Sequence, residues 1–281
     1  MRIQTKDFNL EATLESGQVF GFTKNDKNVY CGIIQGACVE LSRCAGDSRT
    51  APELNVRANS KTITPRMIRD YFDLDRDLSP VRQTLKEEGL WETCEKIQGL
   101  RLIRQDHWEA LACFILSSNN NVKRIQGIWH NLSEYYSRSN SRTAPMIFPT
   151  ARQIASSHEK ILRSLGLGYR APFLLRTSQF VSKNPQYLQW IHEADYEEAK
   201  ARVIAFPGIG EKVADCALLY GFQKYEAFPV DVWILRVMRK LYFKNRKVSE
   251  EKVHAFAQKR WGPNAGYIQQ YLFHGARTGI L

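Results

Sequence analysis

From about residue 80 almost to its last residue, the chain spaces its apolar residues three and four apart, in segments cut by proline and glycine. That period belongs to helices that bury one stripe. The segments run near 80–88, 91–97, 107–118, 121–139, 151–164, 171–184, 187–193, 195–205, 211–222, 231–242, 250–260 and 264–277. The first third reads differently. Residues 8–14, 18–24, 28–34 and 37–43 alternate in part and are broken by Gly17, Asn25-Asp26 and Gly36, the pattern of strands joined by tight turns. Residues 45–64 are polar and read as a loop or edge hairpin, after which Pro65 opens a helix, PRMIRDYFDL. The expected fold class is α+β: a small antiparallel β-rich domain over residues 1–90, then a larger all-α domain over residues 91–281.

Charge narrows the partner. Forty basic residues against 29 acidic ones give +11 over 281 residues. Such an excess favours a polyanion, and nucleic acid gains most from a basic surface through counterion release. No apolar run approaches the roughly 18 residues of a membrane span, and MRIQTKDFNL lacks the apolar core of a secretory signal. No import run or extended tail is visible. The expectation is a compact intracellular monomer of the prokaryotic cytoplasm or nucleoid (the nucleus in a eukaryote), with no membrane partner. The six cysteines are scattered without a CxxC pair, as free thiols in a reducing compartment are. Cys31, Cys38 and Cys44 cluster in strand-like text, but no fourth ligand stands at a suitable spacing for a metal. No cysteine follows Cys216, so no iron–sulfur loop is visible near the C-terminus.

The most informative stretch is Phe206-Pro-Gly-Ile-Gly-Glu-Lys-Val-Ala-Asp-Cys216. Helical text precedes and follows it, so Pro207–Gly210 forms a tight turn between two helices, a hairpin unit over about 195–222. Gly208 and Gly210 let the backbone approach a ligand closely. The free N–H groups at the start of the second helix, around Val213, suit a phosphate. Lys212 lies beside the positive end of that helix, a poor place for a lysine on stability grounds and a good one for a nucleophilic amine. Asp231 follows in Ala227-Phe-Pro-Val-Asp-Val-Trp233, just before the helical run ILRVMRKLYF, where it can cap that helix and also return toward Lys212.

Four further motifs stand out. Ser117-Ser-Asn-Asn-Asn121 precedes Arg124 and suits a helix junction that projects polar side chains. Leu165-Gly-Leu-Gly-Tyr-Arg170 places an aromatic beside an arginine, which by itself reads either as a packed core tyrosine or as a stacking and base-edge pair. Ser16-Gly-Gln-Val-Phe20 and Trp261–Phe273 are the remaining two. In order and spacing these motifs resemble the 8-oxoguanine DNA glycosylase/AP lyase family of the helix–hairpin–helix Gly/Pro…Asp superfamily. The match is good from about residue 90 to 275, and before that it rests on the Ser-Gly-Gln-x-Phe run.

The resemblance implies a helix–hairpin–helix domain and a partner, double-stranded DNA containing 8-oxoguanine. It implies base flipping, because the glycosidic carbon is inaccessible in a stacked duplex. Lys212 would attack C1′ and form a Schiff base, with Asp231 stabilising positive charge on the sugar; β-elimination would then cut the strand. Gly17 would accept the lesion's N7–H through its carbonyl. Gln269 would meet the pairing edge, and Phe273 and Cys216 would enclose the base faces. Asn119 would fill the vacated space, Arg124 and Arg170 would bond the orphaned cytosine, and Tyr169 would wedge beside it. No cofactor is required for this chemistry and no catalytic metal, though the carbonyls of Ile204, Phe206 and Ile209 would suit a structural monovalent or calcium cation. The chain departs from the family at Trp233, where members commonly carry histidine, and its final HGARTGIL has no assignment. Glycosylases for other oxidised or alkylated bases, and a non-catalytic DNA-binding hairpin, are the rival readings.

Overall fold

The computed structural model describes residues 1–44, 52–138 and 145–281. Five strands form one antiparallel sheet: β1 (Arg2–Gln4), β2 (Thr23–Lys24), β3 (Tyr30–Ile34), β4 (Ala37–Cys44) and β5 (Glu53–Ala58), in the order β1-β5-β4-β3-β2. The β3–β4 register closes on Ile34↔Ala37, and the two turn residues, Gln35 and Gly36, both have positive φ. That is the primed turn whose twist fits a hairpin.

Helices α1 (Leu10–Glu15) and α2 (Pro65–Tyr71) accompany the sheet, and α3 (Ser79–Glu87) leads out of it. The helical body follows as α4 (His107–Ser117), α5 (Val122–Arg138), α6 (Ala151–Ala155), α7 (Glu159–Leu162), α8 (Ala171–Lys183), α9 (Tyr187–Glu193), α10 (Tyr196–Ile204), α11 (Glu211–Phe222), α12 (Val232–Tyr242), α13 (Glu250–Trp261) and α14 (Ala265–Thr278). An α+β architecture of the expected order is therefore present.

Several local readings are corrected. Residues 8–14 are not a strand: Asn9 caps α1 by accepting from Ala12 N at 3.0 Å, and Leu10, Ala12, Thr13 and Leu14 are all buried. A short helix buried on nearly every side shows no period of its own. Of residues 18–24 only Thr23 and Lys24 pair in the sheet. Within 45–64, residues 45–51 lie outside the described residues, but Glu53–Ala58 is an interior strand paired on both sides. Its Leu54 and Val56 point into the core while charged neighbours face outward. Residues 91–97 form only a 3₁₀ turn at Glu95–Ile97, and 151–164 breaks into α6 and α7, each with its own start.

Two apolar cores result. One holds Ile34, Val39, Leu41, Leu54 and Val56 of the sheet against Ile68 and Phe72. The other surrounds α4 and α11, which are buried along nearly their whole lengths. These two helices touch where Ala110 meets Gly221; a Cβ on Gly221 would come 2.8 Å from that of Ala110. Phe114 stacks on Tyr220 and His107 on Phe222 to either side. Gln18 and Arg101 fasten the halves together. The buried Gln18 amide donates to Arg101 O at 2.8 Å and accepts from Ile103 N at 2.8 Å. The buried Arg101 guanidinium donates to the carbonyls of Lys6, Asp7, Asp73 and Arg76.

Glu109 of α4 carries a measurable pH signature. Burial pushes its carboxyl up to about 7; the Trp129 indole N–H, donating at 2.7 Å, opposes this and Asp106 adds to it. The ordinary value is 4.5, so the unfolded chain releases this proton first and stability falls as pH rises from there through 7. Glutamine keeps the acceptor for Trp129 and never ionises. Chemical denaturation of Glu109→Gln should show a gain of about 3 kcal/mol over the parent at pH 8 that vanishes near pH 4.

Candidate active site

The turn between α10 and α11 is built as its glycines require. Gly208 has φ +78°, and a Cβ there would lie 2.3 Å from the Phe173 ring, so no other residue fits. Gly210 faces open space and caps α11 without any side-chain bond. The first intrahelical bond runs from Ala214 N to Gly210 O. The N–H groups of Glu211, Lys212 and Val213 therefore form an uncapped donor cluster at a helix N-terminus.

Lys212 stands half-buried in this first turn, and both it and the expected partner Asp231 act on the Cys216 thiol. Burial raises the Cys216 thiol to about 11; Lys212 opposes that through its charge and a hydrogen bond, while Asp231 adds to it. The buried thiol thus feels both the amine and the carboxylate, and it stays protonated at neutral pH. Asp231 caps α12, its Oδ1 accepting from Trp233 N at 3.0 Å and Ile234 N at 2.8 Å. Oδ2 takes no hydrogen bond among the described residues, which leaves a carboxylate oxygen for other work.

A pocket wall continues along α14. Gln269 is buried and oriented, donating to Pro229 O at 3.1 Å and accepting from Tyr220 OH at 3.2 Å. Phe273 lies one turn on, partly exposed. Opposite it Gly17 sits at φ +84°, where a Cβ would lie 3.4 Å from the Phe273 ring. The flanking residues explain this placement: Gln270 donates to Ser16 O at 3.3 Å, and Gln18 is locked into the core. The Ser-Gly-Gln run is thus a clamp that presents Gly17 at the pocket rim.

The asparagine run divides its labour. Asn119 is exposed in the left-handed region at φ 46°. Asn120 donates to Leu116 O at the end of α4, and Asn121 starts α5 by accepting from Arg124 N at 2.9 Å. Arg124 is exposed. Tyr169 is 47% exposed and donates to Ser118 O at 3.1 Å. Arg170 is buried, its Nε donating to Ser118 O at 2.7 Å and its Nη2 to Asn119 O at 2.8 Å. Arg170 thereby fastens the turn that carries Asn119, a task the sequence did not suggest. The Trp233 indole is flanked by Arg236, with 5.2 Å from guanidinium to ring.

Sequence reasoning also missed the network beneath Lys212. The buried Asp215 accepts from Tyr196 OH at 2.6 Å and pairs with Lys200 at 3.2 Å and His254 at 3.3 Å, while Lys200 reaches Glu211 at 2.7 Å. These bonds tie α10, α11 and α13 together behind the amine. An Asp three residues after a lysine in an apolar helix was the available signal. Among the described residues no cluster of three or more His, Cys, Asp or Glu could hold a metal, and no helix is long and apolar enough to cross a membrane.

Known proteins resemble this chain along its whole length. Residues 1–111 match the family model for the 8-oxoguanine DNA glycosylase N-terminal domain, and residues 112–263 match the HhH-GPD superfamily base excision DNA repair protein. A probable N-glycosylase/DNA lyase of Methanothermobacter thermautotrophicus is 32% identical over all of this chain and 97% of its own length. The crystal structure of the Clostridium acetobutylicum 8-oxoguanine glycosylase/lyase, in complex with double-stranded DNA containing cytosine opposite 8-oxoguanine, superposes with a TM-score of 0.89 at 28% identity, covering 100% of this chain and 99% of that one. A 3-methyladenine DNA glycosylase of Archaeoglobus fulgidus shares the fold alone, at 20% identity and a TM-score of 0.77 over 99% of this chain and 98% of that one. The chain belongs to the 8-oxoguanine DNA glycosylase/lyase family of the HhH-GPD superfamily, enzymes of base excision repair that act on DNA.

Proposed function

We propose that this enzyme extrudes 8-oxoguanine paired with cytosine, releases it through a Lys212 Schiff base and then cleaves the strand by β-elimination. The observation that carries the reading is the convergence of Lys212, Cys216 and Asp231 beside a wall formed by Gln269, Phe273 and Gly17. The Lys212 nitrogen bonds C1′ as the C1′–N9 pair leaves with the base. Asp231 offsets the positive charge on the sugar. Loss of the proton at C2′ then expels the 3′ phosphate. The amine itself is the nucleophile, so the chemistry needs no cofactor.

Recognition is divided in the same reading. The Gly17 carbonyl accepts the lesion's N7–H, a bond worth about 1 kcal/mol. Gln269 reads the pairing edge, and Phe273 and Cys216 cover the two faces. Asn119 enters the vacated space with Tyr169 beside it, and Arg124 and Arg170 bond the orphaned cytosine; Nη1 of Arg170 makes no bond to the described residues. The N–H cluster around Gly208, Gly210 and Val213 takes a DNA phosphate. We assign a structural monovalent or calcium ion to the carbonyls of Ile204, Phe206 and Ile209, of which Phe206 O accepts from Ile209 N at 3.3 Å and keeps a second lone pair. We assign the protein as a monomer with a division near residue 90.

Single-turnover kinetics on duplexes carrying 8-oxoguanine opposite each of the four bases test this reading. Cytosine should be preferred by about 10-fold or more, in line with one or two arginine contacts to its edge. Equal rates opposite all four bases would remove the roles of Arg124 and Arg170. Release of an alkylated base with 8-oxoguanine left intact would overturn the substrate.

A further inference from the structure

The unassigned C-terminal run sends a cation into the pocket. Arg277 stands four residues after Phe273 on α14, so the two side chains share a face. Its guanidinium carbon lies 5.5 Å from the Phe273 ring centroid. Its Nη1 is 2.9 Å from where a Cβ on Gly17 would be. Tyr220, Glu15 and Asp231 all act on its charge, while burial lowers its proton affinity.

That charge is poorly matched by the protein. A guanidinium carries five N–H donors, yet the hydrogen bond Arg277 makes among the described residues is a single one, from Nη2 to the backbone carbonyl of Glu15. The Glu15 carboxylate is occupied elsewhere, by Tyr30 OH at 2.6 Å and Lys24 at 3.5 Å. Desolvating a cation that no carboxylate bonds directly costs stability. The cost is offset when an acceptor-rich group comes against that guanidinium where it meets Phe273 and Gly17. In the pocket described above that group is the extruded base.

We propose that Arg277 donates hydrogen bonds to the oxo edge of the extruded purine and stabilises the negative charge that the base takes as it leaves. The inference rests on the lesion-pocket reading and adds to it a leaving-group role. As the Lys212 nitrogen bonds C1′, the C1′–N9 electron pair passes to the purine and spreads to its ring nitrogens and oxo oxygens. The base anion then accepts a proton from the alkylated lysine nitrogen and departs neutral. Arg277 keeps its own proton throughout and acts by charge.

The test compares Arg277→Met and Arg277→Lys with the parent in three measurements at saturating protein. These are release of 8-oxoguanine opposite cytosine, cleavage of a preformed abasic site, and affinity for a duplex holding a tetrahydrofuran abasic analogue. Arg277→Met should slow base release about 10²-fold, the usual effect of losing one donor to developing charge, with the other two within about threefold. Arg277→Lys should recover about tenfold of that loss, because it restores the charge without the fork. Base release within threefold of the parent in Arg277→Met overturns the role. So does an equal loss in release and abasic-site cleavage, which marks a structural part. Weaker binding of the tetrahydrofuran duplex with an unchanged saturated rate assigns Arg277 to a phosphate instead. If Arg277→Met does not fold, Arg277→Gln takes its place with the same expectation of about 10²-fold slower release, and release within threefold of the parent overturns the role. A parent protein that cleaves abasic sites but leaves 8-oxoguanine in place overturns the lesion reading and the inference with it. A parent that releases 8-oxoguanine beside unaffected variants overturns the inference alone.

Discussion

Lys212→Gln should lose base release and abasic-site cleavage by about 10³-fold or more, yet still bind lesion duplex with affinity close to the parent's. The reason is geometric. Lys212 occupies the first turn of α11, where the backbone N–H groups of the hairpin, not the lysine, are the donors proposed for a phosphate. The amide keeps the length and polarity of the side chain beside Cys216 and removes only the attacking electron pair. Single-turnover kinetics and a binding isotherm on the same duplex check both halves. Normal cleavage by the variant would move the nucleophile elsewhere, and lost binding with it would make Lys212 a DNA contact.

Asp231 allows charge to be separated from capping. Its Oδ1 holds the first turn of α12 through Trp233 N and Ile234 N. Asparagine is as good an N-cap as aspartate, whereas alanine forfeits about 1 kcal/mol. Asp231→Asn should therefore melt close to the parent but release the base about 10²-fold more slowly, because the carboxylate no longer balances charge on the sugar. Asp231→Ala should show the same kinetic loss and a lower melting temperature. An asparagine variant with parental rates would reduce Asp231 to a helix cap. The paired measurements are single-turnover release and thermal unfolding.

The helical body was legible because its segments bury one stripe. Residues 187–193 and 211–222 carry the pattern through to α9 and α11 without a shift at either end. The β-rich part was less so. Residues 8–14 alternate in text, yet Asn9 turns them into a helix whose sides are nearly all covered. Strand β5 sits in polar sequence, and its inward residues Leu54 and Val56 became informative only with β1 and β4 beside it. Long-range pairing of this kind leaves no mark within a short window.

The candidate site divides the same way. Lys212 and Asp231 were readable from a glycine-rich turn and from the helix starts around it, Cys216 came only with the family resemblance, and in the fold the charges of the first two act on the Cys216 thiol. What the text withheld were the residues that act by fixing backbone carbonyls. Arg101 binds four of them and Arg170 holds the Ser118–Asn119 turn. Sequence exposes an arginine's charge but not whether it faces DNA or the chain's own carbonyls. Arg277 was silent for the same reason, since only the packing of α14 against the Ser-Gly-Gln clamp shows where it points.

The central claim is a covalent link between Lys212 and the sugar of a released 8-oxoguanine. Borohydride reduction of the protein mixed with an 8-oxoguanine:cytosine duplex tests it most directly, with Lys212→Gln as the blank. The account predicts a stable protein–DNA adduct whose linked peptide contains Lys212, and none with the variant. The absence of an adduct alongside released base, or an adduct mapped to another residue, would contradict it.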